Sequence, residues 1–71
     1  MTVYNVGRIC LKIAGRDAGQ KCVILDKKDD KVLIDGQTRR RYVNPEHLEP
    51  LSNTLEGVSK DSTASELNTH L

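Results

Sequence analysis

Aromatic side chains are almost missing from this chain: it has no Trp, no Phe and two Tyr, Tyr4 and Tyr42. That scarcity argues against the aromatic grooves and cages with which small β modules grip peptides or methylated lysine. It also argues against stacking on single-stranded nucleic acid. Long apolar runs are missing too. None approaches the roughly 20 residues that cross a bilayer, and the N-terminus, MTVYNVGR, has no apolar core of a secretory signal. Cysteine is scarce. Cys10 and Cys22 cannot form a cysteine-only zinc site, and no CxxC spacing is present. Without a secretory context they are read as reduced thiols packed as small hydrophobes.

Catalytic signatures are lacking as well. There is no GxSxG, no HExxH and no phosphate-binding Walker loop. Asp26, Asp29 and Asp30 are interleaved with lysines, as in a solvated turn rather than a metal site. His47 and His70 are isolated and read as surface or capping residues. A chain of 71 residues makes one domain at most and has little room for a deep catalytic pocket. These features describe a non-enzyme with no cofactor, no metal, no small-molecule substrate and no membrane partner.

Charge is unevenly spread. Net charge is only +1, yet residues 1–43 hold ten Lys or Arg against five Asp or Glu, whereas residues 44–71 hold one Lys against five acids. That asymmetry hints at a polyanion-binding part beside an acidic or solvated part. The local pattern is β-rich. Residues 6–13 alternate Ile9, Leu11 and Ile13 with Arg8, Cys10 and Lys12, the period of a strand with one buried face. Residues 14–20 form a loop carrying Gly15 and Gly19. Residues 21–25 and 31–34 read as strands, with a charged turn over 26–30 between them. Asp35-Gly36 is a tight-turn signal, and residues 37–43 read as a fourth strand. Asn44, Pro45 and Glu46 supply a cap, a first helical residue and an early acid for one helical turn over 45–48. The expected fold is all-β: a small SH3-like barrel of about five strands with one short helical turn, spanning residues 1–50. Residues 51–71 carry seven Ser or Thr and sparse Leu. They read as a polar tail, flexible or ordered on a partner. A short helix over 63–71 would begin with a Thr63–Glu66 capping box and put Leu67 and Leu71 on one face.

The basic residues fall on the first, second and fourth expected strands and the first loop. Arg8, Lys12, Gly15, Arg16, Gly19, Lys21, Arg39, Arg40 and Arg41 are the RNA-binding candidates. Guanidinium groups offer planar bidentate donors to phosphate. Glycines let loop amides approach it closely. Folded RNA, read by shape and backbone, suits this set better than single strands.

The residues around the glycine loop, IAGRDAGQKCVIL, resemble a KOW motif. The wider span VGRICLKIAGRDAGQKCVIL, DDKVLIDG and RRRYVNPEHLEP resembles the archaeal and eukaryotic large-subunit ribosomal protein fourteen-e family over about two-thirds of the chain. The resemblance implies an SH3-like barrel that binds large-subunit ribosomal RNA beside neighbouring ribosomal proteins in the cytoplasmic ribosome. It points to Gly15, Arg16 and Lys21 in the KOW-like segment and Arg39, Arg40 and Arg41 in the later strand as RNA-facing. His47, Leu48 and Glu49 match the closing segment, read as structural. Lys27 and Lys28 stand where relatives are more apolar, the loop 35–38 is short, and the tail lacks the basic extension of some relatives. A free KOW-type RNA-binding protein and an SH3-like protein-interaction module are the alternatives.

Overall fold

Strand formation here follows from β-branched and apolar residues placed so that both faces of one sheet are buried. The computed structural model describes residues 4–69 and 71. His70 therefore lies outside the described residues. The elements are β1 (Arg8–Lys12), β2 (Lys21–Lys28), β3 (Lys31–Gly36), β4 (Arg41–Val43), a 3₁₀ turn (Pro45–His47), β5 (Leu48–Thr54) and α1 (Ala64–Asn68). The strands form one antiparallel sheet in the order β4-β3-β2-β1-β5. The small all-β class holds, with five strands and a single helical turn before the last strand.

The sheet curls. Val43 on β4 and Leu48 on β5 lie at opposite edges of the strand order, yet both pack with Cys10, Cys22, Ile24, Val32 and Ile34 in one buried cluster. Only the 3₁₀ turn separates β4 from β5, so a flat sheet could not bring them together. Asn44 caps that turn: its side chain accepts the Glu46 amide at 3.0 Å, with Pro45 in the first helical position. The cap anticipated from sequence is the one present, and it joins the two edges across the concave face.

The convex face is covered too. Ile9, Val23, Leu25 and Leu33 pack with Leu67 of α1, and Leu51, Leu55, Val58 and Leu71 lean on the same cluster. Successive residues of β2 therefore enter different clusters: Cys22 and Ile24 inward, Val23 and Leu25 outward. Such a strand reads as a continuous apolar run, because each face needs an apolar partner.

Several sequence-based expectations are corrected. The phase of β1 is reversed in part: Cys10 and Lys12 are buried, while Ile13 is 50% exposed beyond the strand end. A strand buried on both faces has no polar side for alternation to reveal. Asp35 and Gly36 are not a turn but the end of β3, opposite Val23 and Cys22. Asp35 is tolerated inside because Arg40 Nε lies 2.8 Å from its Oδ2 and the Gly36 amide donates to its Oδ1 at 2.8 Å. The chain turns instead over residues 37–40, so β4 starts at Arg41 rather than at residue 37. Lys27 and Lys28 belong to β2, which slips register between Ile24 and Asp26, and the tight turn is Asp29-Asp30.

The boundary expected at Pro50 falls within β5. Beyond it, the Leu55 amide donates to the Gly7 carbonyl at 2.7 Å, and Asn68 Nδ2 donates to the Gly36 carbonyl at 3.0 Å. The helix expected over 63–71 is shorter, Ala64–Asn68, and the Thr63 side chain accepts the Glu66 amide as its cap. Leu67 is 1% exposed. Replacing it, Leu67→Ala, should cost about 2–5 kcal/mol by lost burial and a cavity. Ser65→Ala, on the exposed side of the same helix, should change stability by less than about 0.5 kcal/mol. Urea unfolding of the two variants checks this; equal midpoints would contradict the packing.

Candidate nucleic-acid interface

The loop after β1 is shaped by backbone pairing at its mouth. Lys12 exchanges hydrogen bonds with it: its amide donates to the Gln20 carbonyl at 2.9 Å, and its own carbonyl accepts the Gly19 amide at 2.7 Å. Gly15 has φ +87° and Gly19 φ +91°, so both occupy the region that L side chains rarely adopt. A Cβ at Gly15 would also stand 3.0 Å from Lys12 Nζ. Lys12 is 5% exposed; its stem is buried and its ammonium donates to the Ala14 carbonyl at 2.5 Å. The loop is docked to the 3₁₀ turn by the Ile13 amide, which donates to the His47 carbonyl at 2.9 Å.

This docking creates a groove of about 340 Å³ between the glycine loop, β4 and the 3₁₀ turn. Lys12, Gly15 and Arg16 line it from the loop side. Arg41, Tyr42, Val43, Asn44 and His47 line it from the other, and Lys31 closes one end. Four permanent cations and a histidine meet there without a carboxylate among the lining residues. Such a concavity concentrates positive potential and suits an anionic backbone.

The nine sequence candidates divide. Lys12, Gly15, Arg16 and Arg41 meet in the groove. Lys21, Arg39 and Gly19 are exposed outside it. Gln37 Oε1 accepts the Lys21 amide at 2.9 Å, and Asp17 Oδ2 accepts the Arg39 amide at 3.3 Å, so the residue 37–40 turn rests against the glycine loop. Arg8 and Arg40 hold the chain after Pro50. Arg8 Nη1 donates to the Leu51 carbonyl at 3.0 Å. Arg40 donates through Nε to Asp35, through Nη1 to the Lys60 carbonyl at 2.7 Å, and through Nη2 to the Ser62 carbonyl. The run of three arginines thus has three addresses: Arg39 on the loop flank, Arg40 on the chain after β5, Arg41 in the groove.

Sequence reasoning missed Lys31, Tyr42, Asn44 and His47 as groove residues. The sequence places Asn44 and His47 only in the cap and the closing segment. Lys31 opens β3, and the β3–β4 register, with Val32 opposite Val43, sets it beside Asn44 at the groove.

The two thiols are chemically quiet. Cys10 and Cys22 are Cα partners across β1 and β2, both free and fully buried. Burial pushes Cys10 up to about 11, against a small lowering by Arg8. Burial, then the neighbouring Cys10, pushes Cys22 up to about 12, against Lys12. Both therefore stay protonated through neutral pH. Unfolded thiols ionise from about 9, so above that pH the unfolded chain sheds protons that the folded chain keeps, and stability falls. Among the described residues no group of three His, Cys, Asp or Glu could hold a metal ion, and no helix is long and apolar enough to cross a membrane. Iodoacetamide at pH 8 should leave both thiols unmodified in the folded chain and alkylate both in urea. Rapid native labelling would contradict their burial.

The KOW motif family matches residues 6–35, which span β1, the glycine loop, β2 and most of β3. The chain is 43% identical over 77 aligned positions to the large ribosomal subunit protein eL14 of Metallosphaera sedula, covering 100% of this chain and 79% of that protein. It is 41% identical over 73 positions to eL14 of Staphylothermus marinus, covering 94% and 75%. It is 36% identical over 72 positions to eL14 of Methanococcus vannielii, covering 100% and 92%.

Proposed function

Because the chain belongs to the eL14 family of large-subunit ribosomal proteins, we propose that it is a structural constituent of the large ribosomal subunit that holds ribosomal RNA in the groove between its KOW loop and β4. The family is one of structural ribosomal proteins and not of enzymes. Its place is the ribosome, and hence the cytoplasm. The observation that carries the RNA reading is the meeting of Lys12, Arg16, Lys31 and Arg41 around one concavity with no carboxylate among its lining residues.

The division of labour follows from the contacts. Arg16 and Arg41 are exposed and supply bidentate donors to phosphate oxygens. Lys12 is committed to the Ala14 carbonyl, so it sets the loop and adds potential. Gly15 and Gly19 keep the loop thin enough for phosphate to approach its amides. Lys21 and Arg39 extend the positive surface along the flank. Arg8 and Arg40 act on RNA through the fold they brace. Neighbouring ribosomal proteins complete the environment. A peptide-binding module is the poorer fit, since this groove has one aromatic residue among its cations.

Two measurements test the reading. Quantifying the chain across a density gradient of dissociated ribosomal subunits should find about one copy per large subunit, persisting through a moderate salt wash. Recovery mainly as free protein would overturn the ribosomal assignment and favour a free RNA-binding protein. For binding to protein-free large-subunit RNA, Arg16→Ala and Arg41→Ala should each weaken affinity and reduce the salt slope by about one unit. Arg40→Ala should leave the slope unchanged in the fraction that stays folded and lower the urea midpoint. An unchanged slope in both groove variants would remove the groove from the interface.

A further inference from the structure

Tyr42 has a setting that the groove alone does not explain. It is 39% exposed, whereas the other aromatic residue, Tyr4, packs against the inner cluster. Tyr42 lines two concavities at once. One is the basic groove; the other, of about 250 Å³, is formed with Lys28, Asp29, Asp30 and Lys31 at the β2–β3 hairpin. Its hydroxyl donates to Asp26 Oδ2 at 3.2 Å, which fixes the ring at its far end. The Lys28 ammonium lies over one face of the ring, 6.0 Å from its centroid. Desolvation and the bond to Asp26 raise the phenol's pKa, so the hydroxyl stays neutral at physiological pH.

The two concavities differ in charge. The groove is lined by cations without acids, which suits phosphate. The hairpin concavity has two lysines against two aspartates, which does not. A nucleotide running out of the groove therefore meets a flat aromatic face beside a charge-balanced hollow with carboxylate acceptors. That combination suits the base rather than its phosphate: an aromatic ring offers stacking area, and carboxylates accept base N–H groups. We propose that Tyr42 is a stacking platform for one unpaired nucleobase of the bound ribosomal RNA, with Arg41 and Lys31 on the adjoining phosphates. The proposal rests on the RNA reading of the groove and adds to it a contact with the base itself. It reverses the inference from aromatic scarcity for one position: one ring suffices when the fold sets it at the mouth of a phosphate channel.

Binding of the full chain to protein-free large-subunit RNA from Methanococcus vannielii, measured over a range of salt, tests this. Tyr42→Phe keeps the ring and should bind within about twofold of the parent. Tyr42→Leu keeps apolar bulk without a π face and should bind about tenfold more weakly with an unchanged salt slope, since stacking is not a counterion-release term. Parental affinity in Tyr42→Leu would overturn the stacking proposal and leave the RNA reading standing. A fall in slope of about one unit would also overturn it, by showing that Tyr42 acts on the cations. Absence of salt-dependent RNA binding by the parent chain would overturn both. Proton NMR of the parent chain keeps the test independent of variant folding. A short single-stranded oligoadenylate should move the Tyr42 ring signals upfield and leave those of Tyr4 in place, and a duplex of the same length should not. No shift, or an equal shift with duplex, would overturn stacking.

Discussion

A single sheet with two buried faces is the constraint on which everything else in this protein depends. β2 makes it plain: Cys22, Val23, Ile24 and Leu25 are each at most 2% exposed, yet they divide between two clusters. Five strands alone could close only the inner cluster. The outer one is completed by residues after Pro50, above all Leu67. In a domain this small, where stability is a narrow difference between large terms, one uncovered face would be a heavy loss.

That constraint explains how the arginine run is used. Three adjacent cations resemble a uniform phosphate-binding stripe. Asp35, buried at the end of β3, captures the middle one. Arg40 then reaches the carbonyls of Lys60 and Ser62 and ties the outer layer to the sheet. Arg41, one residue into β4, is carried around the curl to face the glycine loop. The same covalent segment braces the fold and furnishes the groove. The cation that lines the groove and the one that braces the fold are therefore adjacent in sequence but separable by substitution.

Much of this was legible in the sequence. The glycine loop, the number of strands, the Asn44–Pro45 cap and the Thr63 cap are local signals, carried by residues whose backbone preferences or short-range hydrogen bonds decide the outcome. What stayed hidden depended on distant partners. The phase of β1 could not be read because both its faces are covered. Asp35-Gly36 resembled a turn because nothing local reveals that Arg40 will neutralise a buried carboxylate. Residues 51–71 resembled a tail because their few leucines are too sparse to build a core alone; they complete one that the sheet has half built. Lys31 and Tyr42 join the groove through the β3–β4 register, which pairs Val32 with Val43 and is not marked by any local signal.

The central claim is that residues beyond Pro50 form the second layer of the fold rather than an appendage to it. Amide hydrogen exchange on a chain ending at Pro50, compared with the full chain, tests this most directly. The account predicts that the shortened chain loses protection throughout β2 and β3, whose outward side chains Val23, Leu25 and Leu33 would then face water. Protection in β2 and β3 equal to that of the full chain would contradict it.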